Sequence, residues 1–237
     1  MIHPQKDNLF PERTTMKLIR PLIFTILAAT AFGAQAAKLP QSAELQYSGS
    51  YGIPATMTFT RSGNNYKIVS NIKVPMYSIR FESGGTIKGN TLVPSYYRDV
   101  RGGKTYAEAK LSGGRITYGK AGEEKTESIN GTTQDLFTLA WQLAVNDGKL
   151  PAGLQITNGK KLYKVNGLAR NGSASYSIAG GTTTINKYRL QRGDSTVNYA
   201  FAPALGNVPT QISYTDDGKT YDLQLKSIKI NGKEVKP

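Results

Sequence analysis

Apolar and polar residues alternate along most of the chain between residues 43 and 230. Ile53, Ala55, Met57 and Phe59 interleave with Pro54, Thr56, Thr58 and Thr60. Tyr66, Ile68, Ile72 and Val74 share a face opposite Lys67, Asn71 and Lys73, and Tyr77, Ile79 and Phe81 alternate with Ser78, Arg80 and Glu82. Val197, Tyr199 and Phe201 repeat the pattern, as do Tyr221, Leu223 and Leu225. A period of two puts one face of a strand on a core and the other in water. The phase slips before Ile228 and Ile230, and a β-bulge near Lys226-Ser227 would restore the register.

Turn signals punctuate these runs. They include Ser62-Gly63-Asn64, Ser83-Gly84-Gly85, Lys88-Gly89-Asn90, Arg101-Gly102-Gly103 and Ser112-Gly113-Gly114. Asn158-Gly159, Asn171-Gly172, Gly180-Gly181, Gly193-Asp194 and Asp217-Gly218 follow. A beat of about 8–12 residues predicts an antiparallel meander of about a dozen strands. That many twisted strands curl into a barrel or split into packed sheets.

One segment, about 133–146, changes period. Thr133 is the predicted N-cap, Asp135 suits the positive end of the helix dipole, and Gly148 followed by Pro151 stops the helix. Leu136, Phe137, Leu139, Ala140, Trp141, Leu143, Ala144 and Val145 leave a narrow polar stripe of Asp135, Thr138, Gln142 and Asn146. Such a helix is buried on nearly all sides, as core filling or as a plug or lid on a curved sheet. The expected class is therefore all-β: an antiparallel meander forming an open or closed barrel-like sheet around one buried helix. No linker divides residues 37–237, which form a single expected domain.

The beginning of the chain reads differently. Residues 1–15 are patternless, Met16 is the expected true start, and Lys17 and Arg20 precede an apolar stretch from Leu22 to Phe32. Ala34-Gln35-Ala36 supplies the small residues of a cleavage site before Ala37, so residues 1–36 are an over-extended start plus a signal peptide. The stretch falls short of the about 20 residues that span a bilayer. The expected product is periplasmic and not an integral membrane protein.

Removal of this leader changes the chemistry. The single histidine, His3, lies in it, and the chain has no cysteine. Ser-His-Asp or Cys-His catalysis, His/Cys zinc sites, haem ligation by either residue and disulfides are excluded from the mature chain. The leader holds four of the 30 basic and two of the 16 acidic residues, leaving a balance of +12. Such charge often marks nucleic-acid binding. Export points instead to anionic lipids, envelope polymers or acidic proteins, or to charge that serves solubility alone.

Recognisable catalytic motifs are missing. Gly103-Lys104-Thr105 and Gly218-Lys219-Thr220 resemble the end of a phosphate loop, but Arg98 and Ser213 stand where its first glycine belongs. Both read as turns. Glu82, Asp99, Glu108 and Asp222 are the strand-borne carboxylates that acid–base chemistry would need in one cleft. Two basic-aromatic groups stand out: Tyr96, Tyr97 and Arg98 with Arg101, Lys104 and Tyr106, and Lys160, Lys161, Tyr163 and Lys164. Tyrosine and arginine together grip sugars or anionic head groups, although tyrosine is also an ordinary strand former.

Short motifs across most of residues 37–237 carry a resemblance. They are Tyr47 with Gly52-Ile53-Pro54-Ala55, Gly89-Asn90-Thr91-Leu92-Val93-Pro94, Asp135-Leu136, and Val197-Asn198-Tyr199 with Val208-Pro209 before a charged hairpin. On these the chain resembles the exported bacterial family called domain of unknown function 3108. The resemblance implies a periplasmic β-rich fold like the open barrels of lipoprotein carriers, and it transfers no residue role. The resulting expectation is a non-catalytic module, without cofactor or metal, that binds an amphipathic or anionic envelope component such as a lipid. The expected binding place is a cavity beside the helix, with Tyr96, Tyr97, Arg98, Arg101, Phe137 and Trp141 as contacts. The alternative is a scaffold or inhibitor for an envelope protein; nucleic acid is not expected as a partner.

Overall fold

The structure, a computed structural model, describes residues 38–237 apart from Asp217, together with Met1. The leader, Met16 and the cleavage site before Ala37 lie outside the described residues. Sixteen strands form one sheet: β1 (Ser42–Gly49), β2 (Pro54–Ser62), β3 (Asn65–Val74), β4 (Tyr77–Lys88), β5 (Thr91–Arg101), β6 (Lys104–Ser112), β7 (Arg115–Lys120) and β8 (Lys125–Ser128) in the first half. β9 (Thr133–Asp135) leads into the helix α1 (Leu136–Val145). The second half holds β10 (Gln155–Thr157), β11 (Leu162–Ile178), β12 (Gly181–Arg192), β13 (Ser195–Ala202), β14 (Val208–Asp216), β15 (Lys219–Ile230) and β16 (Lys233–Val235).

The ladder runs from β8 back to β1, crosses to β15, and runs back from β15 to β9, with β16 paired on β15. The β1–β15 pairing joins both halves into one all-β, barrel-like sheet that is not closed, since β8 and β9 end the ladder without pairing to each other. The antiparallel rule has one exception: β9 and β10 are parallel because the helix forms the crossover between them.

Register follows the alternation. Leu45, Met57, Phe59, Ile68, Leu190, Val197, Tyr199, Phe201, Ile212 and Leu225 point inward and are buried. The predicted bulge is present: Gln46 faces Ser227 and Tyr47 faces Leu225, so Lys226 is the extra residue. Its carbonyl accepts the Ala179 amide at 3.0 Å.

Two predicted turns are instead bulges inside long strands. Ser83-Gly84-Gly85 lies within β4, where the register to β5 shifts between Gly84 and Gly85. A Cβ on Gly85 would stand 2.0 Å from the Val93 carbonyl oxygen, so only glycine admits this approach of backbone to backbone. Asn171-Gly172 likewise sits in β11, unpaired between Arg170 and Ser173. Glycine marks a bulge as readily as a turn.

The helix begins later than its pattern predicts. Thr133 belongs to β9, and Asp135 is the N-cap, its carboxylate accepting the amides of Phe137 at 2.9 Å and Thr138 at 3.0 Å. A cap residue must be extended, and β9 pairing holds Thr133–Asp135 in that state. All ten helix residues are buried, and Trp141 packs on Phe59 with ring centres 4.6 Å apart. Gly148 ends the helix as expected, its amide donating to the Leu143 carbonyl.

The polar stripe is consumed in docking. Beyond Tyr96, β5 runs past its pairing with β6, leaving backbone groups near Leu92 without a strand on that side. Side-chain amides take the strand's place. The Leu92 amide donates to Gln142 Oε1 at 2.7 Å, Gln134 Nε2 donates to the Leu92 carbonyl at 2.8 Å, and Gln142 Nε2 donates to the Asn90 carbonyl at 2.9 Å. Thr138 meets Ser83 and Asp135 in the same way. Replacing Gln142 by leucine should leave the Leu92 amide and Asn90 carbonyl unpaired and cost about 2–4 kcal/mol in urea unfolding, although the substitution adds apolar bulk to a buried site. An unchanged urea midpoint would show that the amides do not hold the helix.

Candidate functional site

The strand ends that carry Ile72, Ile79 and Leu223 lie at one end of the barrel, where the β1–β2, β3–β4, β5–β6, β10–β11 and β14–β15 connections gather. The helix plugs the interior, and a void of about 30 Å³ lies beside Phe137 among Tyr97, Asp99, Arg101 and Lys160. That is room for about one water. At the mouth the walls part into a groove of about 590 Å³, floored by Phe137 and sided by Ile53, Ile72, Val74, Ile79, Tyr214 and Leu223. Ile72, Ile79, Phe137, Tyr214 and Tyr221 border both spaces, so the void and the groove adjoin. Of the helix, these spaces touch its N-terminal residues Leu136 and Phe137.

Strand alternation divides the predicted contacts. Tyr97 is buried and faces the void, and Phe137 and Arg101 line it too. Tyr96 turns to the outer face and donates its hydroxyl to Glu82 at 3.0 Å, and Arg98 pairs with Glu108 there at 3.7 Å. Trp141, 1% exposed, belongs to the core and lines neither space. Adjacent strand residues cannot share a face, so Tyr96-Tyr97-Arg98 is not one patch.

The two basic-aromatic groups that lie about 60 residues apart in sequence do meet. The β10–β11 turn brings Lys160 to 5.9 Å from the Tyr106 ring, while the Arg101 guanidinium covers that ring at 3.9 Å. Gly159 makes the approach possible: it has φ of 81°, and a Cβ there would stand 3.1 Å from the Tyr97 ring. Arg101 grips Asp99 with Nε at 3.2 Å and Nη2 at 2.9 Å, so a carboxylate that is 2% exposed keeps a cationic partner. Burial opposes the Arg101 charge, but its bonds to Asp99 prevail and raise its pKa.

Sequence patterning did not single out the groove walls as a site. Ile72, Ile79 and Leu223 carry the same alternation as core residues and are themselves buried, so only their place at the strand ends puts them beside the groove. Arg192 was also missed. It is 1% exposed, stacks 4.6 Å over the Tyr163 ring, and reaches the Thr215 carbonyl at 3.4 Å. Among the described residues, no group of three or more His, Cys, Asp or Glu could hold a metal ion. No described helix is long and apolar enough to cross a membrane.

On the outer face Glu82 collects Lys67 at 2.8 Å, Arg80 at 2.6 Å and Tyr96. Burial opposes its ionisation, yet hydrogen bonds from Lys67, Arg80 and Tyr96 and the Lys67 charge outweigh that, pulling its pKa from 4.5 to about 2. A lowered folded-state value means the stabilisation is present above the unfolded value of 4.5 and disappears as pH falls toward 2. Urea titrations of Glu82→Gln should therefore show a constant deficit at neutral pH that closes between these values. A deficit independent of pH would assign the loss to packing.

No family model matches this chain, and no curated protein does. Among solved structures, it is similar to the crystal structure of a beta-barrel-like protein of domain of unknown function DUF1849 from Brucella abortus. The similarity has a TM-score of 0.48 at 10% identity, covering 82% of this chain and 99% of that one.

Proposed function

We propose that the protein is an exported, non-catalytic carrier or receptor for an amphipathic anionic molecule of the cell envelope, such as a lipid or fatty acid. The observation that carries this reading is that the apolar groove adjoins a polar end holding Arg101 and Lys160. A groove of about 590 Å³ falls within the 300–1,000 Å³ range of small-molecule sites. Its apolar walls suit a hydrocarbon tail, and the polar end suits an acidic head. Periplasmic location rests on the leader and the resemblance to exported proteins.

A catalytic role finds less support. Glu82 and Glu108 are held in ion pairs on the outer face, and Asp99 is held by Arg101. The scaffold alternative would use a basic, tyrosine-bearing outer face. There Lys67, Arg80, Arg98 and Tyr96 are engaged with Glu82 and Glu108.

Titration with cis-parinaric acid, a fluorescent fatty acid, tests the reading. Saturable binding is expected, weakened about tenfold or more by Val74→Asp, which sets a like charge among the groove walls and costs at least 1.4 kcal/mol. Absence of binding, or binding that Val74→Asp leaves intact, would reject the groove. Intact-mass measurement of the secreted protein should give an N-terminus at Ala37.

A further inference from the structure

We infer that the groove's rim is a docking surface for an anionic lipid bilayer, so that the amphipathic ligand is exchanged directly with a membrane; this rests on the groove reading above. Among the described residues of the barrel, three large apolar side chains are exposed: Tyr51 at 100%, Met76 at 104% and Tyr77 at 50%. Isolated apolar residues on a surface need no explanation, but these three share one end of the barrel. Tyr51 lines the groove beside Val74 and Thr220, and Met76 and Tyr77 continue the chain from Val74.

The backbone at these positions deepens the point. Met76 follows Pro75 in the two-residue connection between Val74 and Tyr77, with φ of 73°. This position of a tight turn calls for glycine or asparagine. Tyr51 also has positive φ, 58°, in the β1–β2 connection. At both places a bulky side chain occupies strained backbone and gains no burial from the fold. Such strain persists where function uses it.

Neighbouring connections brace the rim. The Ser50 hydroxyl receives the Asp222 amide at 3.0 Å and donates to the Thr220 carbonyl at 3.3 Å, fixing the Tyr51 loop to β15. The Gly102 amide donates to the Ser78 carbonyl at 2.9 Å, fixing the β5–β6 turn beside Tyr77. These bonds place exposed Lys104 next to the apolar tips on one side, and exposed Lys73, opposite Ser78, lies next to them on the other. Apolar and tyrosine side chains that insert at head-group level, flanked by lysines that meet anionic lipid, form a peripheral membrane contact. Charge complementarity therefore favours an anionic bilayer over a second copy of this basic chain.

Sedimentation with vesicles of phosphatidylglycerol and phosphatidylcholine, compared with phosphatidylcholine alone, tests the inference on the purified chain, its N-terminus fixed by mass spectrometry. Preferential binding to the anionic vesicles is expected. The double variant Tyr51→Asn, Met76→Gly should bind at least about tenfold more weakly, the least that withdrawing one inserted apolar side chain implies. Its melting temperature should hold or rise, because both changes relieve positive-φ strain. Equal binding by wild type and variant, or no preference for anionic vesicles, would overturn the inference. So would concentration-dependent dimerisation that the same variant abolishes. The single variant Met76→Gly, which lies outside the groove lining, should still take up parinaric acid in solution while binding vesicles more weakly; vesicle binding without parinaric acid uptake by the wild type would refute the groove alone, and uptake without vesicle binding the rim alone.

Discussion

A helix with only a narrow polar stripe must be enclosed on nearly all sides, and here a single sheet does the enclosing. Each of Leu136, Leu139, Trp141 and Leu143 is withdrawn from water on every side. Burial of each large apolar side chain contributes about 1.5–3 kcal/mol, a gain that an open, flat sheet could not supply. The sheet therefore has to curve, and the crossing from β1 to β15 lets it continue as one surface around the helix. Because β5 runs past its pairing with β6, the helix and β9 also have to satisfy polar groups that a neighbouring strand would have paired. Gln134 and Gln142 do so at Leu92 and Asn90. Packing and hydrogen bonding here have one solution in common.

The same plug decides where a ligand can go. Barrels of this size are often imagined as cups, but the interior here is occupied by the helix and by the aromatic residues that meet it, including Phe59, Phe81 and Tyr199. The apolar groove opens where the helix begins. Phe137 touches Phe81 on its inner side, with ring centres 5.2 Å apart, and faces the groove on its outer side. The site is thus the unfilled end of a core, which explains why its walls are made of core-type residues.

Legibility in the sequence follows from how local each signal is. The slip before Ile228 and the bulge at Lys226 could be read because alternation is a local property, and the stop at Gly148 likewise. Gly84-Gly85 and Asn171-Gly172 could not be told from turns, since the close approach to Val93 that glycine permits involves a residue from another strand. Thr133 and Asp135 are both good caps, and the choice between them was made by β9 pairing with β10, which local propensity does not contain. Tyr96-Tyr97-Arg98 looked like one patch only because side-chain direction had been set aside. The meeting of Lys160 with Tyr106 depends on the whole path of the sheet, so no spacing rule could have announced it.

Charge is distributed on a different principle at the two surfaces. On the outer face, Glu82, Arg98 and Glu108 stand opposite one another across β4, β5 and β6, with Lys67, Arg80 and Lys110 beside them. Opposite charges in such rows cancel at short range, and each exposed pair contributes little to stability. Toward the mouth, Arg101 is compensated by Asp99, but Arg192 is buried with Nε and Nη1 lacking hydrogen-bond partners among the described residues. Burying a cation with no counter-ion among the described residues is costly, and stacking on Tyr163 offsets only part of that. An uncompensated charge in a poorly polarisable surrounding is also felt at longer range than a solvated one. The protein's charge thus sits in two different surroundings, exposed pairs on the outer face and a buried cation stacked on Tyr163.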